Sequence, residues 1–116
     1  MQTATAPQQV WIDIAPGVHR RTIASGERLH QVYVRLDAGS SVPLHTHVHE
    51  QIAFCISGNL KLTVDGKLHD LKPGMAAIIA SNVPHSANVE VDTIVIDTFS
   101  PPREDMLAQD EKLKKS

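Results

Sequence analysis

Three of the seven histidines fall within five residues, in the run His45-Thr46-His47-Val48-His49-Glu50-Gln51, and another, His85, follows Val83-Pro84. In an extended chain, residues two apart point to the same side. His45 and His47 can therefore aim two ring nitrogens at one point. Gln51 shares their parity, whereas Glu50 would need a bulge to turn the same way. Neutral imidazole is the commonest protein ligand for metals, and Zn, Ni, Fe, Mn and Cu all accept mixed nitrogen and oxygen sites. A single histidine of this kind reads as a solvated loop residue. The His-x-His pair with a separate Pro-His in a β-rich chain points instead to one divalent ion.

The chain closes on a second group of reactive types. Val95, Asp97 and Phe99 share one parity, and Arg103 follows Pro101-Pro102. Asp97 is a carboxylate among apolar and β-branched neighbours. Two placements are open: inside a barrel, where it suits proton transfer, or on the solvent face of an edge strand. Arg103 offers a bidentate grip on a carboxylate, or is a surface residue at a helix start. Phe99 taken alone reads as core.

The elements that must position these groups are short strands. Gly17–Ser25, Leu29–Asp37, Gln51–Ser57, Leu60–Val64, Met75–Ala80 and Val89–Phe99 are each β-rich, and Asp65-Gly66 is a strong hairpin turn. Val32, Val34 and Leu36 alternate with Gln31, Tyr33 and Arg35. About eight strands with turns every 8–12 residues indicate an all-β sandwich or barrel. Residues 103–115 read as a surface helix, with Ser100 as N-cap, Glu104 and Asp105 in the first turn, and Lys112, Lys114 and Lys115 near the end. Residues 1–10 are polar and expected to be flexible, which leaves one domain over residues 11–116.

A chain of 116 residues with 41% hydrophobic and 21% charged residues can bury one core and is not disordered. The formal charge of -2 gives no long-range pull on nucleic acid or anionic membrane, so no partner of either kind is expected. The first residues have neither a basic start nor an apolar core, and Cys55 is the only cysteine. No secretory signal and a reduced, cytoplasmic setting are therefore expected. Cys55 shares parity with Gln51 and Ala53 and reads as a small core residue. His49 is assigned to the rim of the site or to orienting a ligand, and His19, His30 and His69 to the surface or an interface. Exposed strand edges make a homodimer the expected state.

Gly39, His45, His47, Gln51 and Gly58, followed by Gly74 and His85, resemble the two motifs of the cupin superfamily. Gln51 stands where glutamate is usual, Ala80 where proline is, Asn82 where glycine is and Val89 where asparagine is. The resemblance implies a small single-domain cupin, a double-stranded β-helix or jelly-roll barrel with a short C-terminal helix. Three neutral histidines with a neutral glutamine would leave the full double charge on the ion, which favours Lewis-acid work or anion binding. A closer resemblance, over roughly residues 11–107, is to the KdgF-type cupins of pectin and alginate breakdown. It is carried by Trp11, Gly17-Val18-His19-Arg20, the His-x-His-x-His-Glu-Gln run and Asp97-x-Phe99-Ser-Pro-x-Arg103-Glu-Asp. That family converts 4,5-unsaturated monouronates to linear ketonised sugars. It implies His45, His47, Gln51 and His85 as metal ligands, Asp97 and Arg103 as catalytic residues, and Phe99 with Arg103 against a sugar-acid substrate. Two rivals use the same pocket: a metal-dependent dioxygenase, marked by oxygen consumption, and a non-catalytic sugar- or effector-binding cupin, marked by binding without product. A domain serving mainly to dimerise is a third.

Overall fold

The computed structural model describes residues 11–114. The expected flexibility of residues 1–10, and the contribution of Lys115 to the helix end, lie outside those residues. Ten strands run β1 (Ile12–Ala15), β2 (Val18–Ser25), β3 (His30–Leu36), β4 (Ser41–His45), β5 (Glu50–Ser57), β6 (Leu60–Val64), β7 (Lys67–Leu71), β8 (Ala76–Ile79), β9 (His85–Asn88) and β10 (Thr93–Ser100), followed by one helix, α1 (Glu104–Lys114). They form two antiparallel sheets, of order β1-β2-β3-β10-β5-β8 and β4-β9-β6-β7. Inward-facing Val32, Val34, Leu36, Ala53, Cys55 and Val95 of the first sheet pack on Leu60, Leu62 and Leu71 of the second. The alternation read along residues 31–36 is thus the buried and exposed face of β3. Cys55 is a core residue, its thiol pushed up by burial.

Three local expectations change. The run Val89–Phe99 is not one strand. β9 belongs to the four-stranded sheet and β10 to the six-stranded one, so the chain must leave one sheet before joining the other. The crossing at Asp92 packs on Gly58, whose φ is +82° and where a Cβ would come within 2.3 Å of the Asp92 carbonyl. Only glycine fits that approach.

Ser100 does not cap the helix. It ends β10 opposite Glu50, and its hydroxyl donates to the Arg28 carbonyl at 2.7 Å. The first intrahelical bond runs from Leu107 N–H to the Arg103 carbonyl, so Arg103 occupies the capping position.

His30, assigned to the surface or an interface, is fully buried inside the chain. It has the inward parity of Val32 and Val34, a signal the sequence contained. No helix among the described residues is long and apolar enough to cross a membrane.

Candidate metal centre and catalytic pocket

β4 ends at His45, and His47 lies in the turn that follows rather than further along a strand. The i, i+2 convergence survives because the turn is stitched to the β8–β9 connection. Asn82 N–H donates to the His47 carbonyl at 2.8 Å, and the Ser81 hydroxyl to that of Val48. Asn82 has φ +64°, the left-handed conformation that asparagine tolerates better than most residues. The exchange of the usual glycine for Asn82 therefore keeps the turn. β9 then starts at His85, opposite His45 in the register.

The three rings lie together, with centroids 4.2 Å apart for His45 and His85, 4.8 Å for His47 and His85, and 5.6 Å for His45 and His47. One ligand atom from each lies within 4.8 Å of the others. Each ring is held by its own neighbourhood. Nδ1 of His45 bonds the Pro43 carbonyl at 2.8 Å, that of His47 the His49 carbonyl at 2.9 Å, and that of His85 the Val83 carbonyl at 2.8 Å. A carbonyl only accepts, so every Nδ1 carries a hydrogen. In the neutral rings every Nε2 is then a bare lone pair. Burial is the largest cause lowering the pKa of His47, to about 4, and of His85, with Arg103 adding to both. Both rings are therefore neutral and free to ligate near neutral pH.

Gln51, nearly buried on β5, completes the set. Its Oε1 lies 3.0 Å from His47 Nε2. Its amide also bonds Asp97 in the sense that stabilises the carboxylate, so the NH₂ faces Asp97. Two acceptor atoms, Oε1 and Nε2, are left facing each other, while His85 Nε2 is buried with no hydrogen-bond partner. A cation among them satisfies all three atoms, and the donor set of three imidazoles and one carboxamide fits a divalent ion. Glu50, the alternative ligand, is exposed.

Asp97 lies on β10, hydrogen-bonded between β3 and β5. The edge-strand placement is thereby excluded. With Gln51, His45, His85, Phe99 and Arg103 it lines a cavity of about 270 Å³. Burial raises its pKa to about 6, against the opposing pull of the Gln51 hydrogen bond and of Arg103.

The Arg103 guanidinium lies 4.9 Å from the centre of the Phe99 ring. Its Nε and Nη2 donate to the two oxygens of Asp105 at 3.0 and 2.8 Å. The bond from Arg103 holds the Asp105 carboxyl down at about 2. The side-on edge of the guanidinium is thus taken by the protein, and the end-on edge, Nη1 with the second hydrogen of Nη2, remains for a ligand. Asp105, read from sequence only as a helix-start acid, is an orienting partner that the sequence reading missed. His49 packs on His47 and Phe99, with ring centroids 5.5 and 6.3 Å away.

A sandwich of two antiparallel sheets with a three-histidine cluster inside it defines a class. Residues 32–97 match the cupin domain family, more than half of the chain, and the chain belongs to that family. Within it the chain is of the KdgF type. It is 32% identical over 99 residues to the pectin degradation protein KdgF of Dickeya dadantii, covering 84% of this chain and 90% of that one. The structure of KdgF from Halomonas sp. superposes with a TM-score of 0.84 at 32% identity, over 91% of this chain and 98% of that one. An RmlC-like cupin from Shewanella frigidimarina gives the same TM-score at 30% identity, over 90% and 95% of the two chains.

Proposed function

We propose that the protein is a metal-dependent enzyme that opens 4,5-unsaturated monouronates from pectin or alginate breakdown and converts them to linear ketonised sugars. The observation that carries this reading is that His45, His85, Gln51, Asp97 and Arg103 line one cavity, with His47 beside the other two imidazoles and one edge of the Arg103 guanidinium unused. The similarity to a pectin degradation protein supports the substrate class.

His45, His47, His85 and Gln51 would hold a divalent ion of the Zn, Ni, Fe, Mn or Cu group. Such an ion supplies a Lewis acid for sugar oxygens on which negative charge develops. Arg103 binds the substrate carboxylate through its end-on edge, with Asp105 fixing the fork and Phe99 beneath it. Asp97, ionised at neutral pH, takes the proton of the anomeric hydroxyl. The C1 carbonyl forms, the bond from C1 to the ring oxygen breaks, and an enolate is left over C4, C5 and the former ring oxygen. Asp97 returns the proton to C4 and the ketone forms at C5. Atoms balance, no redox partner is needed, and one carboxyl serves as base and then acid. Orientation by Arg103 makes the transfer intramolecular in effect.

The test is to add metal-loaded protein to unsaturated monouronate and follow the ultraviolet absorbance of the conjugated double bond. Loss well above the spontaneous rate, without oxygen uptake, supports the reading. Equality with the spontaneous rate removes it, and oxygen uptake would move the protein to the dioxygenases.

A homodimer and a cytoplasmic setting belong to the same proposal. The outer face of the six-stranded sheet exposes Ile52, Phe54 and Ile78, with Ile52 opposite Ile78 in the register. A contiguous apolar face of this kind is suited to a second copy. Sedimentation equilibrium at micromolar concentration should give twice the monomer mass, and a monomer there contradicts the dimer.

A further inference from the structure

The catalytic reading uses Arg103 but does not say what sets its position. Arg103 lies between the end of β10 and the start of α1, and its side-chain partner Asp105 belongs to the same segment. The guanidinium rests on Phe99 of β10, but none of these contacts holds the Arg103 backbone to the barrel. One bond does: Arg103 N–H donates to His30 Nδ1 at 3.1 Å, across 73 residues of sequence.

That bond fixes every hydrogen beyond it. The amide can only donate, so Nδ1 must be the bare nitrogen of His30 and Nε2 must carry the hydrogen. Nε2–H then donates to Thr22 Oγ1 at 2.9 Å. The Thr22 hydroxyl donates onward to Asp110 Oδ2 at 2.6 Å. Asp110 Oδ1 accepts from Arg20 Nη1 at 3.0 Å, and Arg20 Nη2 donates to Gln109 Oε1 at 2.8 Å and to the Met106 carbonyl at 3.1 Å. Arg20 and His30 are at most 1% exposed and Asp110 is 7% exposed. From the Arg103 amide to the Asp110 carboxylate, each of these bonds has a single direction of donation.

The geometry points to His30 as the positioning residue of Arg103, with Thr22, Asp110 and Arg20 locking its ring in the tautomer that accepts from the Arg103 amide. The inference rests on the proposed role of Arg103 in holding a substrate carboxylate. Burial holds the His30 imidazole below its ordinary range, in keeping with the neutral form that these bonds demand. His30 packs beside Phe99, with ring centroids 6.2 Å apart, and reaches no reacting atom.

Two substitutions separate positioning from bulk stability. In His30→Asn the carboxamide oxygen sits the same number of bonds from Cα as Nδ1, so the acceptor for Arg103 is kept and the Thr22 bond is lost. In His30→Gln the amide nitrogen replaces Nε2, so the Thr22 bond is kept and the acceptor for Arg103 is lost. Each variant loses one hydrogen bond, worth about tenfold in an equilibrium. His30→Gln should raise KM about tenfold with a smaller change in kcat, while His30→Asn stays within about threefold of the parent in KM. Equal effects of the two variants, or an unchanged KM in His30→Gln, would overturn the inference. A readout independent of turnover is the ¹⁵N spectrum of the His30 ring in the unaltered protein. It should show Nδ1 bare and Nε2 protonated at neutral pH, and the opposite tautomer or an imidazolium overturns the chain. Should the unaltered protein leave unsaturated uronates untouched, the functional reading fails, and the ring spectrum still decides the hydrogen-bond chain.

Discussion

The two polar halves of the pocket are supported in opposite ways. The imidazoles of His45, His47 and His85 are each oriented by a carbonyl two residues away in sequence. Arg103 is tied to the barrel through His30, Thr22, Asp110 and Arg20, in contacts that span 73, 8, 88 and 90 residues. The three imidazoles of the candidate metal site take their orientation from neighbours in sequence, and the pairing of β4 with β9 brings them together. The arginine end exists only when the helix has docked. Damage to the first should stay local, and damage to the second should spread through the helix.

The largest effect expected is at the local end. His85→Ala removes a ligand whose Nε2 has no other partner. Metal content after dialysis, read by mass spectrometry, should fall by more than the roughly 10–100-fold typical of outer-sphere changes, and double-bond loss should return to the spontaneous rate. Unfolding by urea should change little in the metal-free protein.

Asp97→Asn comes next. It keeps the size and the Gln51 neighbour but cannot move a proton. We expect kcat to drop about 10²–10⁴-fold with metal content unchanged. Full activity in that variant would remove Asp97 from its role.

At the long-range end, Asp110→Ala strands the buried Arg20 guanidinium. Removing one partner of a buried pair costs about 3–5 kcal/mol, read as a lower urea midpoint. The isolated ligand set should still take up metal at its unaltered stoichiometry under native conditions, because its supports lie elsewhere.

This contrast also explains what the sequence made legible. The His-x-His pair, Gln51 and His85 were legible from residue types, spacing and turn signals, although His47 sits in a turn held by Ser81 and Asn82 rather than along a strand. The inward faces of β3 and β10 were legible for the same reason. The helix boundary and the bonds of His30 were not, since Ser100 is drawn to Arg28 and His30 to Arg103 from tens of positions away, while Asp105, only two residues from Arg103, read simply as a favourable charge at a helix start. His30 shows the gap most clearly. Its parity matched Val32 and Val34, but a histidine on an inward face carries no meaning until Thr22 and Arg103 are beside it. The division of residues 89–99 between two sheets was hidden likewise, because β-rich composition does not say which sheet a strand joins.

A pH measurement sharpens the comparison further. The Asp97 carboxyl is raised to about 6 by burial from an ordinary value of 3.8. Between those values the folded protein holds a proton that the unfolded chain has lost, so the Asp97 contribution to stability falls as pH rises across that window. In metal-free protein the difference in urea midpoint between the parent and Asp97→Asn should fall in the parent's disfavour from pH 4 to 6 and level off above. In the metal-loaded enzyme kcat/KM should climb as the same group ionises, below about pH 6 because a bound double charge favours the carboxylate. The smallest effect is a displacement of that limb. Gln51→Glu replaces the amide bond to Asp97 by a like charge, which should move the limb to higher pH while metal is kept.

The most direct test of the central claim is anomalous diffraction from crystals grown with a divalent transition ion. One peak within bonding distance of Nε2 of His45, His47 and His85 and of Oε1 of Gln51 is the expected result. A map with no peak among those four atoms under saturating metal would contradict it.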